Sequence, residues 1–188
     1  MALHRLHGIE RRLMKNPELR NQYENFLQEY ESLGHMKCVE QTNKHQAVVI
    51  PHHCVTRPGG KSLRVVFDAS QKSSSGIALN DCVYSGPKLQ NDVFDVILRF
   101  RIHQYVMTCD ISKMYRQILI RPDERRFQHI LWRKNGILHE FELKTVTYGV
   151  SSAPYLALRT VLQLISDEGH RFPLAARVLS RDRFQLNE

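Results

Sequence analysis

The sequence predicts an α+β fold, in which helices and β-hairpins are mixed without a regular strand–helix–strand alternation. Two segments carry apolar residues at helical spacing, one near the N-terminus and one after residue 151. Asn135-Gly136, which lies between two apolar runs, is typical of a tight hairpin turn. The chain has 188 residues, of which 42% are hydrophobic, and this suffices for one domain with a core.

The N-terminal segment is predicted to form two helices. The first has an apolar face made of Leu6, Ile9, Leu13 and Met14. The second begins at Asn16-Pro17-Glu18, where a capping side chain, a proline and an acid follow in the order that favours a helix start. Gly34 is suited to end it. Its apolar positions are Leu19, Tyr23, Phe26, Leu27, Tyr30 and Leu33.

The next segment is predicted to contain two strands and a helix. The strands are residues 47–50 and 63–68, and the connection between them carries the turn residues Pro51, Pro58, Gly59 and Gly60. A polar loop follows at 72–76. Apolar spacing then indicates a helix from Val93 to about residue 104.

Asp110 directly follows a run that is predicted to be a buried strand, residues 105–109. Cys109 within it is expected to be a packed thiol. A carboxylate at the end of such a strand is held rigidly outside the core. This position suits a metal ligand or an acid–base group.

The remainder of the chain is predicted to be a hairpin followed by a helix. After a short apolar stretch at 118–120, the two strands of the hairpin are residues 127–132 and 137–143. The helix begins near 151–154, where Ser151 or Ser152 is expected to cap it, and runs to about residue 166.

The composition favours a polyanionic partner, since the formal net charge is +8 and the sequence pI is about 9.5. Nucleic acid fits this charge best. No segment approaches the length of a membrane span, and the N-terminus does not resemble a secretory signal. The four cysteines are scattered without a Cys-x-x-Cys pair, so we expect reduced thiols in an intracellular protein.

Three short motifs resemble known sites but are incomplete. Gly60-Lys61-Ser62 matches the end of a phosphate-binding loop, but Val55 stands where that loop needs its first glycine. The run 149–153 matches a nucleophile elbow around Ser151, but its second glycine is alanine. His52-His53 beside Cys54 has no further ligands at metal-binding spacing, and a polar loop or a core contact explains it better.

A basic cluster and one tyrosine remain open to two interpretations each. Arg57, Lys61 and Arg64 surround a turn, where they either neutralise phosphates over a cleft or form a solvated basic hairpin. Tyr115 either packs in the core or forms the floor of a nucleotide pocket.

Seven runs, in this order, resemble the reverse transcriptase of BEL/Pao-type LTR retrotransposons. They are residues 51–55 (PHHCV), 63–70 (LRVVFDAS), 79–82 (LNDC), 86–92 (GPKLQND), 110–118 (DISKMYRQI), 126–133 (RFQHILWR) and 147–154 (TYGVSSAP). The resemblance extends from about residue 5 to residue 180. It implies a right-hand polymerase fold with N-terminal helices, fingers and an incomplete palm.

The resemblance also implies an organisation into four segments. Residues 1–39 would form the N-terminal helices, and residues 40–104 would be mainly fingers. Residues 105–180 would begin the palm, with fingers segments returning between its parts. Residues 181–188 stand where the family has a Tyr-x-Asp-Asp hairpin.

The resemblance assigns roles to single residues. Asp110 would be the first of three metal-binding aspartates, aided by the Ile111 carbonyl, and two Mg²⁺ ions would be the cofactors. Tyr115 would be the steric gate that selects deoxynucleotides. Arg64 would contact the triphosphate, with Arg57 or Lys61 beside it. Tyr148 and Gly149 would lie against the incoming nucleotide and the template, although retroviral enzymes usually have glutamine at the position of Tyr148.

The family supplies its other two catalytic aspartates from the Tyr-x-Asp-Asp hairpin, which is expected just after Leu179. This chain has Asp182 alone there, and Asp-Asp occurs nowhere in it. We therefore expect a reverse transcriptase fragment that is inactive alone and lacks the rest of the palm, the thumb, RNase H and integrase. Expected partners are an RNA or DNA primer-template and deoxynucleoside triphosphates, in cytoplasmic virus-like particles and without a membrane. The alternative is a non-catalytic nucleic-acid-binding remnant, and a weaker one is a hydrolase built on Ser151.

Overall fold

The computed structural model describes residues 1–39, 47–56 and 63–183. It is a mixed structure, 43% helical and 18% strand, as expected for the α+β class. The chain divides into two compact units: unit 1 contains residues 1–84 and 115–151, and unit 2 contains residues 85–114 and 152–188. Within the described ranges, no helix is long and apolar enough to cross a membrane.

Unit 1 begins with two helices, α1 (Ala2–Met14) and α2 (Pro17–Ser32). The predicted start of α2 is confirmed, because the Asn16 side chain accepts a hydrogen bond from the Leu19 N–H at 3.0 Å. The predicted end is also confirmed. Gly34 has φ +72°, and the His35 N–H donates to the Tyr30 carbonyl at 3.0 Å, which closes the last turn.

Two antiparallel sheets form the β part of unit 1. The strands β1 (Met36–Val39), β4 (His129–Lys134) and β5 (Ile137–Leu143) form the first in the order β1-β5-β4. The second pairs β2 (His52–Thr56) with β3 (Leu63–Phe67). The predicted β4–β5 hairpin is confirmed, and Asn135 (φ 53°) with Gly136 (φ 80°) has the positive φ angles of a type I′ turn.

The prediction of a strand at residues 47–50 is wrong. These residues form only an isolated bridge, in which Val49 lies parallel to His129. The partner of β3 is β2, whose sequence contains the two adjacent histidines. β2 fits there because His52 and Cys54 alternate into the core. The turn predicted at Pro58, Gly59 and Gly60 lies outside the described residues.

The core of unit 1 lies where α1 and α2 pack against both sheets. Its largest fully buried side chains are Tyr23, Tyr30, Phe67, Phe141, Leu27, Ile50, Ile130 and Leu143. His52 connects the two sheets, because its Nε2 lies 2.8 Å from the Leu131 carbonyl oxygen of β4. The same ring interacts with the Tyr23 hydroxyl of α2 through Nδ1, at 2.5 Å. The adjacent histidines thus provide a core contact.

Unit 2 contains α4 (Val93–Phe100), α5 (Ala153–Glu168) and α6 (Pro173–Arg181), while the four-residue helix α3 (Leu79–Cys82) belongs to unit 1. The predicted helix after Val93 is confirmed but ends at Phe100. In α4, Asp92 caps the N-terminus by accepting from the Phe94 N–H at 2.8 Å.

Polar contacts fasten the end of α6 to the segment before α4. The Asn91 amide donates to the Ser180 and Arg181 carbonyls, at 3.1 and 2.9 Å. Arg99 pairs with Asp182 at 2.7 Å. Hydrogen bonds from Arg181 and then from Arg99 lower the pKa of Asp182, so this carboxylate is held by arginines.

Candidate functional site

Tyr148 is anchored to β3 at the start of the segment 148–151. Its hydroxyl donates to the Val65 carbonyl at 2.8 Å, and its ring lies 5.2 Å from that of Phe67. The Arg116 guanidinium hydrogen-bonds the same hydroxyl. Burial raises the pKa of Tyr148 far above its ordinary value, so the phenol stays neutral and keeps the proton that it donates.

Gly149 occupies a position that excludes any other residue type. Its φ is +95°, and a Cβ atom there would lie 2.1 Å from the Phe67 carbonyl oxygen. The backbone of residue 149 therefore approaches the end of β3 as closely as a chain without a side chain allows. Gly149 itself is exposed.

Asn80 holds the same segment from the other side. Its Nδ2 donates to the Gly149 carbonyl at 2.9 Å and to Ser70 Oγ at 2.8 Å. Its Oδ1 accepts from the Ser151 N–H at 2.8 Å. The Ser151 hydroxyl in turn donates to the Val83 carbonyl at 3.3 Å.

Arg64 is the described member of the predicted basic cluster. It lies in β3, directly before Val65 and opposite Val55, and is half-buried. Its positive charge acts on the Tyr148 hydroxyl and favours the ionised phenol. Arg64 and Tyr148 are thus brought together. Arg57 and Lys61 lie outside the described residues.

Tyr115 lies in a one-turn 3₁₀-helix, Met114–Gln117, and is half-buried. The side chain of the next residue, Arg116, is 13% exposed. Its guanidinium lies 4.6 Å from the centre of the Tyr30 ring and 5.1 Å from that of Phe26, and 3.4 Å from Glu29 Oε1. Arg116 therefore joins this turn to α2 as well as to Tyr148.

Asp110 and Ile111 lie in unit 2, and the prediction of a buried strand before them is wrong. Residues 105–109 are irregular and exposed: Tyr105 is 84% exposed and Met107 is 95% exposed. Cys109 is likewise exposed and is not a packed thiol. A strand needs a hydrogen-bonded neighbour, and no strand in the described ranges pairs with this run.

The residues present do not fit a complete two-metal site. Asp110 is exposed, and the described parts of the chain contain no group of three or more His, Cys, Asp or Glu side chains able to hold a metal. Asp182 is engaged with Arg99 and Arg181. One aspartate and a backbone carbonyl supply too few hard oxygen ligands for two Mg²⁺ ions.

The serine alternative gains no geometric support. The hydrogen bonds of Ser151 go to Val83 and Asn80, not to a histidine that could act as its base. Ser152 is the N-cap residue of α5, as expected, but its side chain makes no capping hydrogen bond. The Ser151 hydroxyl donates to the Val83 carbonyl and does not cap the helix either.

The motifs assign no role to Asn80 or Arg116, although Asn80 bonds Gly149 and Ser151 and Arg116 bonds Tyr148. Asn80 stands in the run 79–82, but its partners are about 70 positions away. Arg116 lies 87 positions from Glu29. Local patterns carry no signal for pairs at such separations.

No protein-family model matches the sequence, and a comparison with curated proteins finds no significant relative.

Proposed function

We propose that this chain is the fingers and part of the palm of a reverse transcriptase of the BEL/Pao type, and that it binds primer-template and deoxynucleotides. The observation that carries the proposal is the fixed segment 148–151. Tyr148, Gly149 and the strand that bears Arg64 meet in unit 1, as a surface for a nucleotide and its template requires. The net charge of +8 supports a polyanionic partner.

The chemistry of these groups agrees with the proposal. Arg64 would offset the charge of a triphosphate, and its planar guanidinium suits bidentate contacts to phosphate oxygens. Tyr148 is held neutral, and Gly149 is exposed beside it, so a flat base can approach the backbone there. Tyr115 would exclude a ribose 2′-hydroxyl by its bulk.

Mg²⁺ would be the metal of the complete enzyme, where it would supply Lewis-acid chemistry for nucleotide transfer. In this chain Asp110 and the Ile111 carbonyl would hold it only weakly. We therefore propose that the chain alone does not extend a primer, because catalytic groups that act together lose most of their effect when some are missing. The remaining groups would come from the rest of a retrotransposon polyprotein, in a cytoplasmic virus-like particle.

Primer extension tests this proposal directly. We expect the chain, incubated with a primed RNA template, deoxynucleotides and Mg²⁺, to bind the template without extending the primer. Extension that is lost in Asp110→Asn would contradict the proposed inactivity and would still support polymerase ancestry. Failure to bind any primed template would overturn the proposal as a whole.

The second candidate is a non-catalytic nucleic-acid-binding remnant. Asp110 favours it, because this residue is exposed and belongs to no metal-binding group of three or more side chains within the described ranges. The downstream genomic sequence distinguishes the two. A Tyr-x-Asp-Asp run encoded shortly after residue 188 in any frame identifies a piece of an enzyme. A downstream sequence without one favours the remnant.

A further inference from the structure

We infer that Asn80 is a positioning residue for the segment 148–151, and that it fixes the surface offered to the nucleotide and template. The inference rests on the proposed function for the identity of the ligand. It rests on geometry within unit 1 for the role of Asn80.

The Asn80 amide acts as a peptide group inserted beside the segment. Nδ2 donates to the Gly149 carbonyl at 2.9 Å, and Oδ1 accepts from the Ser151 N–H at 2.8 Å. These two bonds reach the residues on either side of Val150, as a neighbouring strand would. The second hydrogen of Nδ2 goes to Ser70 Oγ at 2.8 Å. Both donors and the acceptor of the amide are thus used.

Asn80 is itself held in place from the end of β3. Its backbone N–H donates to the Ala69 carbonyl at 3.1 Å, and it lies within α3. The side chain is only half-exposed. Its contacts therefore connect the residues after β3 to the segment 148–151 by one rigid amide.

The residue type follows from these contacts. Aspartate would keep the acceptor for the Ser151 N–H but lose the donors to Gly149 and Ser70. Alanine would lose all three bonds. Gly149 has a φ of +95°, which only glycine adopts without strain. Glycine can also adopt many other conformations, so the hydrogen bond from Asn80 to its carbonyl helps to hold this one.

The segment is consequently fixed at both ends. The Tyr148 hydroxyl is bound to Val65, and Ser151 is bound to Asn80 and Val83. Without Asn80, Tyr148 keeps its anchor and the Ser151 hydroxyl keeps its bond to Val83, while the Gly149 carbonyl loses its donor and the Ser151 N–H loses its acceptor. We expect Asn80→Ala to disturb nucleotide binding through Gly149 and to leave the fold intact.

Two measurements on the full chain test the inference. The first is amide hydrogen exchange by nuclear magnetic resonance: the Ser151 amide should exchange about tenfold faster in Asn80→Ala, because one hydrogen bond is lost, and should remain protected in Asn80→Asp. The second is the affinity for a fluorescently labelled primer-template, measured with and without the next complementary deoxynucleotide. The gain in affinity that the nucleotide gives should fall about tenfold in Asn80→Ala, with little change in binding of the primer-template alone.

Ser73→Ala is the matched control. Ser73 lies in the polar loop that precedes α3 and bonds Ser75 and Ile77, so its loss loosens the loop without touching Asn80. Wild-type behaviour of Ser73→Ala supports the inference. Equal effects of Ser73→Ala and Asn80→Ala would overturn it, as would unchanged Ser151 exchange or an unchanged nucleotide effect in Asn80→Ala. A wild-type chain that binds no primer-template overturns the proposed function instead, and Ser151 exchange then still decides whether Asn80 holds the segment.

Discussion

His52 is 4% exposed, and both of its ring nitrogens have partners in the core of unit 1. Nε2 donates to the Leu131 carbonyl, so Nδ1 is the acceptor for the Tyr23 hydroxyl, and the ring is neutral. Burial lowers the pKa of His52 to about 4. A proton added to Nδ1 would remove the acceptor and leave a charge in the core.

This pKa predicts that stability falls on acidification. The folded-state pKa lies below the ordinary value of 6.5, so the unfolded chain binds the proton first. The contribution of His52 is fully present above about pH 6.5 and is lost as the pH falls toward 4, by about 3 kcal/mol. Urea unfolding at several pH values measures it.

The difference between wild type and His52→Gln isolates this effect from the other histidines. His53→Gln, on the other side of the same strand, is the control. It should keep most of the wild-type pH dependence, because burial is the main cause of the low His52 pKa and the charge of His53 is a lesser one. A pH dependence in His52→Gln equal to that of wild type would show that His52 is not the group responsible.

Gly149 predicts a second effect on the free energy of unfolding. Alanine there would have a disfavoured φ and a Cβ atom that overlaps the Phe67 carbonyl, so Gly149→Ala should destabilise the chain by roughly 2–4 kcal/mol. Gly76→Ala is the control, because Gly76 has a similar φ of +80° but open space around it. It should cost about 1 kcal/mol. Equal losses in the two variants would mean that the close approach to Phe67 contributes nothing.

At the scale of elements, the sequence predicts what depends on neighbouring residues. The cap at Asn16, the end at Gly34 and the turn at Asn135-Gly136 are local, and the structure confirms all three. Strand pairing depends on distant partners. Residues 47–50 have strand-forming side chains, but in the described part of the chain they form a single bridge to His129, while β3 pairs with β2. Residues 105–109 have equally suitable side chains and no strand beside them in the described part of the chain.

The candidate site divides in the same way. The motifs single out Tyr148 and Gly149, which are adjacent in the chain. They do not indicate that Tyr148 bonds Val65, which lies 83 positions away. Asn80 and Arg116 are found only once the fold brings them to the segment. Whether Asp110 faces these groups stays a prediction.

Arg116 predicts that α2 and Tyr148 are coupled through one planar cation. Arg116→Lys keeps the charge but loses the flat contact with Tyr30 and Phe26, so it should lower the free energy of unfolding by about 1–2 kcal/mol. Arg126→Lys is matched to it, since Arg126 lies 4.9 Å from the ring of its exposed neighbour Phe127. Thermal or urea unfolding should show almost no change for this control. If Arg126→Lys lowered the free energy of unfolding as much as Arg116→Lys, the effect would come from replacing any arginine by lysine and not from the contact of Arg116 with Tyr30 and Phe26.

Because residues 105–109 are exposed, we expect the Cys109 thiol to react rapidly with thiol-specific reagents. A maleimide reagent should modify Cys109 and Cys82 quickly in the native chain, and Cys54, which is buried, only on unfolding. Mass spectrometry of peptides locates the modified cysteines. Protection of Cys109 but not of Cys82 would show that the segment is covered in solution.

For the whole molecule, the net charge of +8 predicts that binding to any nucleic acid weakens with salt. A plot of log affinity against log salt concentration should be linear, with a slope that reflects the phosphates contacted. Arg64→Gln should reduce that slope by about 1 if Arg64 contacts a phosphate. An unchanged slope would show that Arg64 does not contact a phosphate, although the chain would still bind nucleic acid.

The division into two units has a consequence for synthesis. Because residues 85–114 belong to unit 2 but residues 115–151 return to unit 1, β4 and β5 leave the ribosome after a large part of unit 2. At translation speeds of about 5–20 residues per second, β4 emerges several seconds after α1 and α2. β2 and β3 emerge in between and pack against the same helices. The part of α1 that packs against β4 therefore stays exposed until residues 129–134 have been made.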